Sequence, residues 1–140
     1  MVEIDSEDRE LIDRASALVA AHGDDELHTV AAAARSIEGR VVAGLNLYHF
    51  TGGPCAEVVV LGMAASEGLG RLVSIVAVGD RGRGIMPPCG RCRQILLDYQ
   101  PELHVILSDK PVPGKVPIYE LLPRGWAWTL EGGSEPPEVR

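Results

Sequence analysis

The sequence predicts an α/β protein, a three-layer α/β/α sandwich around a mixed five-stranded sheet. Two β-type runs, 28–35 and 40–50, are joined by a short turn at Glu38-Gly39 and read as an antiparallel hairpin. An apolar helical stretch starting at Cys55 then separates the second run from a β-branched run, Leu72 to Val78. Strand, helix, strand implies strands that run parallel through a right-handed crossover. With 140 residues the chain has the length of one domain, assigned to 1–130, and the Gly/Ser/Pro/Glu-rich segment 131–140 is expected to be a disordered tail.

Taken in order, Leu11, Ile12, Ala15, Leu18 and Val19 recur at helical spacing between Glu7 and Ala21, with Ser6 as expected N-cap and Gly23 as stop. After the hairpin, the helix from Cys55 should run to about Ser66 and, being apolar nearly all round, lie centrally. Asp80 to Pro88 is a Gly- and Pro-rich loop leading to a second cysteine-headed helix that ends near Gln100, before Pro101. Leu103 to Ser108 is the next strand, Asp109 to Lys115 a proline-rich connector, and Ile118 to Leu122 a short helical turn.

Composition narrows the function. Three cysteines, an odd number without a signal peptide pattern, argue against a disulfide framework and for a metal role in a reducing compartment, so a cytoplasmic location is expected. The longest apolar run, Val58 to Ala65, is too short to span a bilayer. A net charge of −7 disfavours DNA or RNA as partner and suits a small neutral or cationic molecule.

The chemistry is concentrated in Pro54-Cys55-Ala56-Glu57 and Pro88-Cys89-Gly90-Arg91-Cys92-Arg93-Gln94. Cys89 and Cys92, three apart at a helix start, lie on one face and can grip one ion. Pro54 and Pro88 each precede a cysteine and an apolar run, as prolines do at helix starts, so both cysteine sites read as helix N-termini. There the positive dipole end favours thiolates. Three protein ligands leave a fourth tetrahedral position open, the mark of a catalytic rather than a structural zinc site. Glu57, two residues past Cys55, can reach that position without ligating and is the candidate general acid/base. Three thiolates carry more charge than Zn2+ neutralises, and Arg83, Arg91 and Arg93 are the candidates to offset it. The bland alternative is a structural zinc knuckle closed by His22, His28, His49 or His104.

A cysteine two residues before a glutamate, followed by Pro-Cys-x-x-Cys, is similar to the zinc-deaminase signature, with cysteine as its first ligand. The chain resembles the cytidine deaminase superfamily and, more closely, the blasticidin S deaminases, through the tract Tyr48 to Glu57, through Arg83-Gly84-Ile85, Pro88 to Gln94 and Glu120 to Pro123, and through Trp128. The resemblance implies a zinc-dependent aminohydrolase that replaces the exocyclic amine of a cytosine-type ring by oxygen, assembled as a homotetramer. It places Asn46 at the sugar, the backbone carbonyl of Pro87 at the substrate amine, Thr29 and Ala56 in the same substrate-binding set, and Trp126 and Trp128 over the site, within one subunit or across two. Where cytidine deaminases carry a glutamate for the ribose hydroxyl, this chain has Tyr48. Tyr48 and Trp126 are therefore expected to close the sugar side, which would favour a free base, an aminotriazine or blasticidin S over cytidine.

Overall fold

The computed structural model describes residues 1–109 and 111–126. Its strands are β1 (Val2–Glu3), β2 (Val30–Ser36), β3 (Val41–Leu45), β4 (Leu72–Gly79), β5 (Gly84–Ile85), β6 (His104–Leu107) and β7 (Gly114–Pro117). Its helices are α1 (Ser6–His22), α2 (Ala56–Ser66) and α3 (Gly90–Tyr99), followed by a 3-10 turn at Ile118–Leu121. The expected tail and Trp128 lie outside the described residues. No helix among those described is long and apolar enough to cross a membrane.

The sheet order is β1-β7-β6-β4-β2-β3, with β5 added against β4. Five strands have four or more residues, and the two-residue β1 and β5 raise the expected count to seven. β2 pairs antiparallel with both β3 and β4, so β3 and β4 point the same way with β2 between them. β4 and β6 pair in parallel across α3. Both cysteine-bearing helices therefore begin beyond the C-terminal ends of parallel strands, where open α/β sheets bind their ligands.

The alternation of β2 sorts the core into two halves. Ala32 and Ala34 pack with Ala56, Val60 and Ala64 of α2 and Leu96 and Leu97 of α3. Ala31 and Ala33 face Leu11, Ala15 and Val19 of α1. All four alanines are fully buried, so helices close on the sheet from both sides. α2 is less central than its composition suggests. It buries Ala56, Glu57, Val60 and Ala64, while Val58, Val59, Leu61 and Met63 remain half-buried.

Three boundaries differ from expectation. Asp5, not Ser6, caps α1: its carboxylate accepts the Asp8 N–H (2.9 Å) while Asp8 accepts the Asp5 N–H (3.1 Å). That reciprocal pair satisfies two orphan donors, which Ser6 alone would not. The run 40–50 leaves the sheet after Leu45 because 47–53 doubles back, Leu47 N–H reaching the Pro54 carbonyl and Gly52 N–H the His49 carbonyl. Gly53 permits this return, since a Cβ there would lie 1.8 Å from the Leu47 carbonyl oxygen. Finally, Gly114 and Lys115, expected in a connector, open β7, which β6 and β1 hold from either side.

A buried ion cluster ties these edges together. Asp8 is wholly buried and meets Lys115 Nζ (2.5 Å) and Arg35 Nη2 (3.6 Å), and Arg35 also pairs with Glu7 (3.0 Å). Lys115→Met leaves that carboxylate short of its nearest cation. Urea denaturation of this variant should show a loss of about 3 kcal/mol, the scale for breaking one side of a buried pair. A midpoint equal to wild type would make the cluster energetically idle.

Candidate active site

Cys55 and Cys89 are the N-cap residues of α2 and α3, and neither uses its side chain to cap the helix. Their sulfurs therefore sit at two positive dipole ends, 3.7 Å apart. Cys92, one turn into α3, completes a group whose sulfurs all lie within 4.8 Å of one another. Zinc–sulfur bonds near 2.3 Å in a tetrahedron space sulfurs about 3.8 Å apart, so the donor set and its spacing fit one zinc ion. Among the described residues no histidine joins this group. His28 Nδ1 instead meets the Asn46 carbonyl (2.7 Å) and His49 Nδ1 the Thr51 hydroxyl (2.5 Å), which leaves a closed four-ligand knuckle without its fourth member.

The three thiols differ in their surroundings. Burial pushes Cys92 well up, helped by the Glu57 carboxylate and by Cys55, and partial burial raises Cys55. Cys89 is also partly buried, which opposes ionisation, yet the N–H groups of Cys92 and Arg91 and the neighbouring thiols bring it below the usual thiol value. Glu57 is only 6% exposed, and that burial raises its carboxyl above the ordinary range. Its Oε2 lies 3.8 Å from Cys92 Sγ, beside the sulfur triangle but outside it. Burial thus gives this carboxyl a higher proton affinity than an exposed glutamate has.

A cleft of about 200 Å³ opens over this cluster, and Cys55, Ala56, Glu57, Asn46, Pro87 and Cys89 line it together with Val30 and Met86. Its size suits a single heterocyclic ring rather than a polymer. Arg91 donates to the Gly53 carbonyl (2.9 Å) and the Gly52 carbonyl (3.4 Å) and approaches Cys55 Sγ (3.9 Å), so it both fixes the loop and faces a sulfur. Arg93 donates to the carbonyls of Pro88 and Leu121, bracing the loop before Cys89.

Four expected positions lie outside the cleft lining of the single chain. Arg83, grouped with Arg91 as a counter-charge, instead donates to Asp80 Oδ1 (2.6 Å) and to the Thr29 carbonyl (2.8 Å), so its charge answers an aspartate and not a sulfur. Tyr48 lies in the returning loop, 65% exposed, outside the residues that line the cleft of the single chain. Trp126 is likewise outside the lining, half exposed, with its carbonyl held by Gln94 Nε2 (2.7 Å). Thr29 sits behind Asn46 and presents its N–H to the Asn46 side chain (2.7 Å) instead of facing the cleft. Conversely, Val30, Met86 and Asp80 were not singled out from the sequence. Only Asp80 carried a signal, its spacing of three from Arg83 across a Gly-containing turn.

Comparisons with known proteins agree with this geometry. No family model matches the chain. Blasticidin-S deaminase of Bacillus cereus is 31% identical over 129 residues, spanning 86% of this chain and 92% of that protein. A cytidine deaminase of Mycobacterium tuberculosis is 42% identical over 85 residues, 59% of this chain and 62% of that protein. Among solved structures, the cytidine deaminase of Mycobacterium leprae superposes with a TM-score of 0.72 at 29% identity, covering 86% of this chain and all of that one (100%). That of Mycobacterium tuberculosis gives 0.72 at 32%, covering 89% and 100%. With similarity spanning nearly the whole chain, and a sandwich that sets two cysteine-capped helices over one cleft, the chain belongs to the cytidine deaminase superfamily.

Proposed function

We propose that this protein is a zinc-dependent hydrolytic deaminase acting on a cytosine-type ring. The observation that carries the reading is Glu57, a buried carboxyl in a ring-sized cleft beside three sulfurs spaced for one metal ion. Cys55, Cys89 and Cys92 would hold zinc, which supplies Lewis-acid activation of water at such a site. Glu57 takes a proton from the attacking water and delivers it to a ring nitrogen, then passes the remaining proton of the newly added hydroxyl to the departing amine. Water adds at the ring carbon, the carbon–nitrogen bond breaks, and the products are the oxo ring and ammonia. The Pro87 carbonyl at the cleft wall is the acceptor assigned to the amine N–H. Arg91 holds the loop that carries Cys55 and offsets part of the thiolate charge.

The substrate is read as a nucleoside, cytidine or blasticidin S in type, in keeping with what the relatives are named for. The second reading, a free base or aminotriazine, keeps the support of Tyr48 standing where cytidine deaminases carry a ribose glutamate, while neither Tyr48 nor Trp126 lines the cleft of the single chain. Ammonia release on cytidine, blasticidin S, cytosine and an aminotriazine tests this. Turnover of only the free rings would return the reading to a base deaminase, and no release above a protein-free control would end the enzymatic reading. The half-buried apolar residues of α2 support assembly as a homotetramer. Native mass spectrometry should give four chains with one zinc each. A zinc-free protein, or a monomer, would contradict the corresponding half of that statement.

A further inference from the structure

Asn46 lines the cleft, and its hydrogen bonds decide which end of its amide a ligand meets. Oδ1 accepts two backbone N–H groups, from Thr29 (2.7 Å) and Val30 (3.0 Å). A flipped amide would set its NH2 against those two donors, so this orientation is fixed by its partners. Both lone pairs of the oxygen are then used. Nδ2 retains its protons apart from one long contact to the Thr29 hydroxyl (3.4 Å). The backbone of Asn46 is also held, its N–H by the Val30 carbonyl and its C=O by His28 Nδ1.

The Thr29–Val30 peptide, which presents the second of those N–H groups, is clamped from its other side. The Thr29 carbonyl accepts the Asp80 N–H (2.9 Å) and Arg83 Nη2 (2.8 Å). Arg83 is in turn aligned by Asp80 Oδ1, which takes its Nε (3.0 Å) and Nη2 (2.6 Å). Asp80 is buried at the end of β4, so the whole clamp is anchored to the sheet. A planar guanidinium spans carboxylate and carbonyl at once, which an ammonium on a flexible stem does not.

We propose that Asp80 and Arg83 are positioning residues that hold Asn46 with its N–H donors turned to the cleft, selecting substrates whose ring substituent offers a hydrogen-bond acceptor there. The substrate class rests on the deaminase reading, whereas the clamp itself does not. On the deaminase reading Asn46 meets a ring substituent and not the reacting carbon, so loosening it weakens binding of ground and transition states alike.

The test is a cycle of Arg83→Met with Asn46→Ala, with Arg83→Lys as the milder variant. In the otherwise native protein Arg83→Met should raise KM for cytidine about tenfold, the scale of one hydrogen bond, with kcat within about twofold. In the Asn46→Ala background the same change should move KM by less than about twofold. Arg83→Lys, which keeps the charge, should behave like Arg83→Met. Amide hydrogen exchange read by NMR should be about tenfold faster at Thr29 and Val30 in both Arg83 variants, with no ligand present. An equal KM rise in both backgrounds, unchanged exchange, or zinc lost on Arg83→Met but kept on Arg83→Lys would overturn the proposal, the last by returning Arg83 to the sulfurs. Absence of turnover in the native protein would instead refute the deaminase reading, and the exchange measurement would still decide the clamp.

Discussion

Glu57→Gln should retain zinc and fold while turnover falls by at least on the order of 10² to 10⁴. Glutamine has the same shape and can sit in the same buried pocket beside Cys92, so packing is preserved. What it loses is the ability to exchange a proton. The native carboxyl is suited to that exchange because burial raises its proton affinity above that of an exposed glutamate. In the proposed reaction one group would serve successive transfers, from water to ring nitrogen and to the leaving amine, so more than one step would lose its partner. Steady-state rates together with elemental zinc analysis measure both halves of the statement. A Glu57→Gln enzyme that kept zinc and worked near the native rate would remove Glu57 from the chemistry.

Cys89→Ser should abolish activity by a different route, through loss of metal. Cys89 keeps a solvent-exposed face at the cap of α3 despite its partial burial and leaves no hole when its sulfur is replaced, so far-UV circular dichroism should be unchanged. A serine hydroxyl is a poor ligand beside the thiol whose ionisation α3 promotes. Sharing the free energy of a structural zinc site among its ligands gives roughly 3 kcal/mol each, a weakening on the order of 10² in affinity. After dialysis against a chelator the native protein should keep about one zinc per chain and the variant should have lost it, with ammonia release at background. Full zinc and full activity in Cys89→Ser would mean that the three sulfurs are not the binding set.

The parts of this site that were legible in the sequence are those fixed by local chemistry. Pro54-Cys55 and Pro88-Cys89 announce helix starts, and Cys89 and Cys92 share a face by spacing alone. The hairpin followed from the turn at Gly39, whose φ of +87° suits glycine. Positions set by distant partners were not legible. β7 exists because β6 and β1 flank it, and its Gly and Pro residues otherwise read as connector. Tyr48 turned outward because a glycine five residues later lets the loop return, which no pattern at Tyr48 itself records. Of the two roles open to Arg83, facing a sulfur or fixing its loop, the bonds to Asp80 and to the Thr29 carbonyl match the second, through an aspartate three residues earlier.

The four alanines of β2 have a consequence for the cleft that lies above them. α2 rests on Ala32 and Ala34, and the same helix carries Glu57 at its first turn. The methyl groups of that strand thus act as shims: they set how deep α2 seats, and so how far the Glu57 carboxyl stands from the sulfurs brought in by α3. One added methylene in a packed layer forces neighbours to shift, and a misplacement of about 1 Å at reacting groups costs on the order of 10² in rate. The tolerance of this site is therefore machined into two alanines that do not line the cleft, although Val30 at the start of their strand does, and side chains that small have least room to grow.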